Sequence, residues 1–186
     1  AVALGRMRML EPVSAEAARF YDSLTAGRET LSIDYECSFL GPGDDDAEKS
    51  VSEQDLRQAL EARLERTAES ELRRGHTLAG PQYDDVLLRL DGRDLRRFGS
   101  QGRRRLAAIV MKLAQAAVIM EGRAERPVVL LDDIFSELDA GTAERVRALL
   151  SDSYQSFITS PGGFDRSAEE PGSSHIEVSA GSFRTV

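Results

Sequence analysis

Basic excess, lysine, cysteine and long apolar runs are all scarce in this 186-residue chain. Each scarcity removes a class of function. The net charge is −8, whereas a domain that holds nucleic acid by bulk charge is basic, so any such contact must use a local patch or another part of the protein. Of the 24 Lys and Arg residues, only Lys49 and Lys112 are lysine, a bias read as a property of the source genome. Neither lysine follows a glycine, since Glu48 precedes Lys49 and Met111 precedes Lys112, which excludes the phosphate-cradling pattern G-x-x-x-x-G-K-[ST]. The single Cys37 cannot form an internal disulfide, which fits a reducing compartment. No apolar run reaches bilayer length and no signal peptide is visible, so a membrane partner is not expected. The chain starts at Ala1 without Met, and Val2 to Leu10 reads as the middle of a helix, so further material is expected upstream.

A hydrophobic content of 41% supports one domain with a core or two small lobes. Glu11 to Ala26 reads as a helix with Ala17, Phe20, Tyr21 and Leu24 on one side, stopped at Gly27. Leu31, Ile33, Tyr35, Cys37 and Phe39 alternate with polar residues, the pattern of a half-buried strand. Gly41 to Lys49 is a solvated loop, and its Asp44-Asp45-Asp46 run lacks a further ligand pattern. Ser52 and Asp55 form a capping box for a helix reaching Arg74, ended by Gly75. Its stripe Leu56, Leu60, Leu64, Ala68, Leu72 points to intramolecular packing or, secondarily, a partner-binding arm. Gly80 to Asp85 is a turn, Val86 to Leu90 a strand, and Asp91-Gly92 a hairpin signal. Arg103 to Glu121 is a helix apolar over a wide arc. Pro127 to Leu131 is expected to be a parallel strand covered on both faces. A helix capped by Asp139 follows, then a second buried strand, Tyr154 to Thr159, so that strand, helix and strand form one crossover unit. Ser160 to Ser174 is rich in Gly, Ser and Pro, and Ile176 to Ser179 is a short final strand.

Three constellations can carry chemistry. Asp132-Asp133 ends the apolar strand, where open α/β sheets bind ligands; one carboxylate can hold magnesium while the other orients water. The alternatives are a structural loop cap and a phosphoacceptor site, the latter weakened because both lysines lie upstream. Phe98-Gly99-Ser100-Gln101-Gly102 precedes the wide-arc helix, and small residues at a helix start admit phosphate oxygens; the alternative is an ordinary N-cap. Arg93, Arg96, Arg97, Arg103, Arg104 and Arg105 crowd this segment as an anion-attracting patch or as solvated charge. Ser136-Glu137-Leu138-Asp139 is a turn after the acidic pair, and alone it is a helix cap.

The order of the three resembles ATP-binding-cassette ATPase heads, most closely the RecF family of DNA replication and repair proteins. Phe98 to Arg105 is similar to the family's signature, Leu130 to Asp139 to its Walker B and D-loop, and Gly80 to Asp85 to a further family segment. Phe157-Ile158-Thr159-Ser160 occupies the switch position, where this family is typically hydroxylic. The resemblance implies an α/β fold: the carboxy-terminal half of an ATPase head, with a parallel sheet core and flanking helices, plus a smaller α+β and helical lobe. It implies a lobe over 1–95 and the ATPase part over 96–186. It implies ATP and Mg²⁺ as cofactors, with Asp132 on the metal, Asp133 as catalytic residue, and Ser100, Gln101, Gly102, Asp139 and Ser160 at the nucleotide. It implies a head-to-tail homodimer on ATP, binding of double-stranded DNA or gap junctions, action at single-strand gaps and stalled forks, and mediator partners of the RecO and RecR type. The implied location is cytoplasmic and nucleoid-associated. The full-length protein would be a weak DNA-dependent ATPase, and this segment alone would be inactive. An SMC-type head and a non-catalytic interaction module are the alternatives; the compact stretch between Leu31 and Leu90, without sustained heptads, favours RecF over SMC.

Overall fold

The computed structural model describes residues 2–40, 51–122, 126–136, 138–161 and 172–185. The acidic loop around Asp44, Lys49, Glu137 and most of the Gly/Ser-rich tail lie outside the described residues. The chain forms two compact units, Ala1–Pro127 and Val128–Val186.

The first unit is built on two helices, α1 (Val2–Thr25) and α4 (Gln101–Gly122), which pack against each other. On α1 the buried residues include Ala17, Phe20, Tyr21 and Leu24; on α4 they include Leu106, Ala107, Val110, Leu113 and Ala114. Fully burying each large side chain of this kind contributes about 1.5–3 kcal/mol before entropy is counted. Pro12 lies inside α1 rather than at a helix start. Its missing N–H removes one helical hydrogen bond, yet the helix continues through it, with Ala3 buried before it and Val13 after it.

A three-stranded antiparallel sheet joins the two helices: β1 (Leu31–Glu36), β2 (Asp85–Leu90) and β3 (Arg93–Asp94). β1 is shorter than the alternation predicts, yet Cys37 and Phe39 stay buried in the turn beyond it. Asp91 and Gly92 both take positive φ, 48° and 75°, the geometry of a two-residue hairpin turn. A second core cluster gathers Ala3, Tyr35, Cys37, Phe39 and Leu56.

Helix α2 (Glu53–Arg74) has the predicted capping box: Ser52 accepts the Asp55 amide and Asp55 accepts the Ser52 amide. Gly75 closes it at φ 73°, a left-handed position that disfavours other residues. The expected packing of its whole stripe is not observed. Only Leu56 is buried, Leu60 and Leu64 are half-buried, and Leu72 is 86% exposed. Beyond its first turns α2 leaves the core, and its end is held by local capping and charge.

The segment from Gly80 to Asp85 forms a 3-10 turn over Pro81–Tyr83 and enters β2. Gly80 has φ 133°, which excludes side-chained residues there. Asp84 fixes the turn to β1 by accepting the Tyr35 hydroxyl, the Ser38 amide at 2.9 Å and the Ser38 hydroxyl at 2.8 Å. Burial, then the bond to Asp84, pushes the Tyr35 hydroxyl up to about 12. A phenol raised in the folded state contributes stability that is complete below its ordinary value of 10.0 and is lost as pH rises through about 12. In wild type, denaturant stability should fall between those values, and Tyr35→Phe should flatten that part of the slope. Equal alkaline slopes in the two proteins would refute the assignment.

In the second unit, β4 (Val128–Asp132) and β5 (Gln155–Thr159) pair in parallel, joined through α5 (Ala140–Ser153). Val129, Leu131, Ile134, Ala143, Val146 and Leu150 are buried. Coverage of both sheet faces is not observed: Leu130 is 74% and Phe157 56% exposed. Successive side chains on a strand point to opposite faces, and one crossover helix shields one of them. The expected final strand is half of a hairpin, β6 (Ile176–Ser179) with β7 (Ser182–Thr185), turning at Ala180-Gly181. Among the described residues, no helix is long and apolar enough to cross a membrane.

Candidate functional site

The acidic pair lies where β4 runs out. Register places Asp132 opposite Thr159, the last residue of β5. The Thr159 hydroxyl donates to Asp132 Oδ1. The next amide, Asp133 N–H, donates both to the Thr159 carbonyl at 3.2 Å and to Thr159 Oγ1 at 3.1 Å. Asp133 takes φ 46°, a left-handed conformation in which Asp and Asn are enriched among side-chained residues. The chain therefore turns sharply after the strand, and the two carboxylates sit on differently directed backbone.

The turn that follows is tied back on itself. The Ser136 hydroxyl donates to the Asp133 carbonyl at 3.3 Å, and the Leu138 amide donates to the Phe135 carbonyl at 3.3 Å. The Arg147 guanidinium lies 4.4 Å from the centroid of the Phe135 ring, so α5 braces the turn by cation–π contact. Asp139 caps α5 through the Thr142 amide at 3.0 Å; hydrogen bonds from Thr142 hold its carboxyl below the usual carboxylate range.

The glycine-serine segment belongs to the first unit. A short helix α3 (Leu95–Phe98), capped by Asp94, precedes it. Ser100 caps α4, its hydroxyl accepting the Arg103 amide at 3.3 Å and its carbonyl the Arg104 amide at 3.0 Å. Ser100 and Gln101 are exposed and Gly102 is half-buried. Phe98 is 67% exposed beside a cavity of about 350 Å³ that Asp91, Arg93, Leu95 and Arg103 help to line.

Three arginines of the cluster are paired with acids. Arg96 clasps Asp85 through two nitrogens at 2.7 and 3.1 Å and holds the Asp85 carboxyl below its usual range. Arg103 pairs with Glu29, and Arg97 lies 3.8 Å from Asp94. Arg93 and Arg104 have no acidic partner among the described residues.

The structure thus brings Asp132, Asp133 and Thr159 together, with Asp139 at the end of the same turn and Ser160 one residue past β5. Thr159 itself was not singled out by sequence reasoning. Pairing the two strand ends, each a polar residue closing an apolar run, is the signal that finds it. Among the described residues no three His, Cys, Asp or Glu side chains form a metal cage. The acidic pair still fits Mg²⁺, which is commonly held by one or two carboxylates together with substrate phosphates.

A parallel strand pair joined by a crossover helix, with acids at the carboxyl end and a capped turn behind them, is an α/β arrangement that fits the architecture of an ATP-binding-cassette ATPase head. No protein-family model matches the chain. The DNA replication and repair protein RecF of Halothermothrix orenii is 34% identical over 160 residues, covering 86% of this chain and 41% of that protein. RecF of Listeria monocytogenes is 37% identical over 154 residues, covering 83% of this chain and 40% of that protein. The solved structure of the recombination mediator protein RecF-ATPrS in the RecFOR pathway superposes with a TM-score of 0.74 at 29% identity, over 98% of this chain and 46% of that one. A structure of an SMC ATPase matches at TM-score 0.53 and 14% identity, a likeness of fold alone. The chain belongs to the RecF family as its C-terminal, ATPase-head-like region, and spans about 40% of the length of the curated relatives it matches.

Proposed function

We propose that this chain supplies the hydrolytic end of a composite ATP site in a RecF-type DNA repair and recombination protein. The observation that supports it most is the clasped acidic pair: Asp132 and Asp133 both bound to Thr159 at the carboxyl end of a parallel strand. In this reading Asp132 would hold Mg²⁺, which when bound screens the phosphate charge. Asp133 orients an attacking water and takes its proton on the carboxylate. Ser100, Gln101 and Gly102 present the positive end of α4 to the γ-phosphate of a nucleotide held by a second subunit. Asp139 couples the turn to the dimer interface, and Ser160 is the hydroxylic switch. In this reading residues 96–186 would carry these elements and 1–95 the accessory lobe, a functional division that differs from the compact units, since α4 packs on α1 within Ala1–Pro127.

The whole protein would dimerise head to tail on ATP, act on double-stranded DNA or gap junctions at single-strand gaps and stalled forks, and meet RecO- and RecR-type mediators in a bacterial cytoplasm. This segment carries a net charge of −8, so any DNA contact it makes would be local, and Arg93 and Arg104, without an acidic partner among the described residues, would serve it. The test is the mass of a full-length RecF-type protein carrying this segment, measured by light scattering. A dimer is expected with ATP and Mg²⁺ and a monomer with ADP. A monomer at saturating ATP overturns the reading.

A further inference from the structure

We infer that Thr159 is a positioning residue for the acidic pair, its hydroxyl setting which Asp132 oxygen is left for a divalent cation; this rests on the proposed role of Asp132. Cross-strand register puts the two residues on one face at the end of the sheet. A hydroxyl has one proton, and here it goes to Asp132 Oδ1. Its lone pair then receives the Asp133 amide at 3.1 Å. One side chain therefore fixes the rotation of the first carboxylate and the backbone of the second. The Thr159 carbonyl already accepts the same amide at 3.2 Å, so the strand pairing alone does not need the hydroxyl. Threonine suits the task because its branched Cβ restricts χ1. With Oδ1 engaged by the hydroxyl, Oδ2 is the oxygen of this exposed carboxylate left for a cation. Groups that hydrogen-bond a ligating carboxylate commonly control metal affinity tenfold or more.

The experiment uses the full-length protein with Thr159→Val, Thr159→Ser and Asp132→Asn. It measures the Mg²⁺ concentration that half-saturates ATP-dependent dimerisation, thermal stability, and ATP affinity in EDTA. Thr159→Val keeps the shape and removes the hydroxyl. It should raise the half-saturating Mg²⁺ about tenfold, with metal-free ATP affinity and melting temperature unchanged. Thr159→Ser should restore the wild-type value to within about twofold, since it returns the donor. If Val does not fold at this exposed position, Thr159→Ala carries the same expectation. A wild-type Mg²⁺ curve for the variant lacking the hydroxyl, with the response lost in Asp132→Asn, overturns the role of Thr159 alone. A wild-type response in Asp132→Asn overturns the metal site itself.

Discussion

Asp133→Asn in a full-length RecF-type protein carrying this segment is expected to keep ATP-dependent dimers and to lose turnover by about 10²–10⁴-fold, the usual contribution of a positioned general base. The substitution is close to ideal as a probe because of the backbone it sits on. Asp133 has φ 46°, and Asn is among the few side chains that accept this region with little strain. The amide bonds to Thr159 come from the backbone and survive the change. What is removed is the carboxylate's capacity to take a proton. If Asp133 takes the place that Glu holds in other cassette ATPases, as proposed, the same geometry favours the shorter acid. A longer acid at a left-handed position would add a conformational cost of about 1 kcal/mol. In the proposed role, an acid shorter by one methylene would suit slow turnover. Steady-state phosphate release alongside sedimentation measures both halves of the prediction. Dimers with wild-type turnover would remove Asp133 from the catalytic role.

Features written in neighbouring residues were legible in the sequence. Ser52 with Asp55, Gly75, Asp91-Gly92 and Asp139 each act within a turn of their own position, and each does so as their residue types require. Features that depend on distant chain were not. Leu130 and Phe157 sit in apolar runs that read as buried, but which face is covered is decided by the layers around them. Leu72 continues a stripe of period four, yet only the start of α2 reaches the core. The six arginines near α4 look anion-attracting because the pairing of Arg103 with Glu29, and of Arg96 with Asp85 across the β2–β3 hairpin, is set by the fold and not by adjacent residues. The acidic pair was legible as a strand end, while the hydroxyl that clasps it sits 26 residues downstream of Asp133. Ala180-Gly181 lacks the Asn or Asp that marks such turns, so the last hairpin was read as one strand.

Gly99→Ala should cost about 1–3 kcal/mol of stability, the usual range for overpacking a tight site. It should also weaken ATP-dependent dimerisation of the full-length protein. The reason is space. Gly99 has φ −76°, which any residue can adopt. A Cβ there would lie 2.5 Å from Leu95 Cδ1 and 2.6 Å from the Leu95 carbonyl oxygen. The leucine methyl could swing away, but Leu95 is buried and its carbonyl is already held by the Gly99 amide at 3.0 Å. Relief therefore requires opening that hydrogen bond and moving the start of α4, which carries Ser100 and Gly102. Gly5→Ala is the matched control: Gly5 lies within α1 with nothing within 4 Å of an added Cβ. There alanine should stabilise by roughly 0.5–1 kcal/mol, because it restricts the unfolded chain and favours helix. Urea midpoints of the two variants should thus move in opposite directions, and only Gly99→Ala should raise the ATP concentration needed for dimers. If both variants stabilise, the close approach to Leu95 imposes no constraint, and the glycine must be explained by the nucleotide that the α4 start is proposed to face.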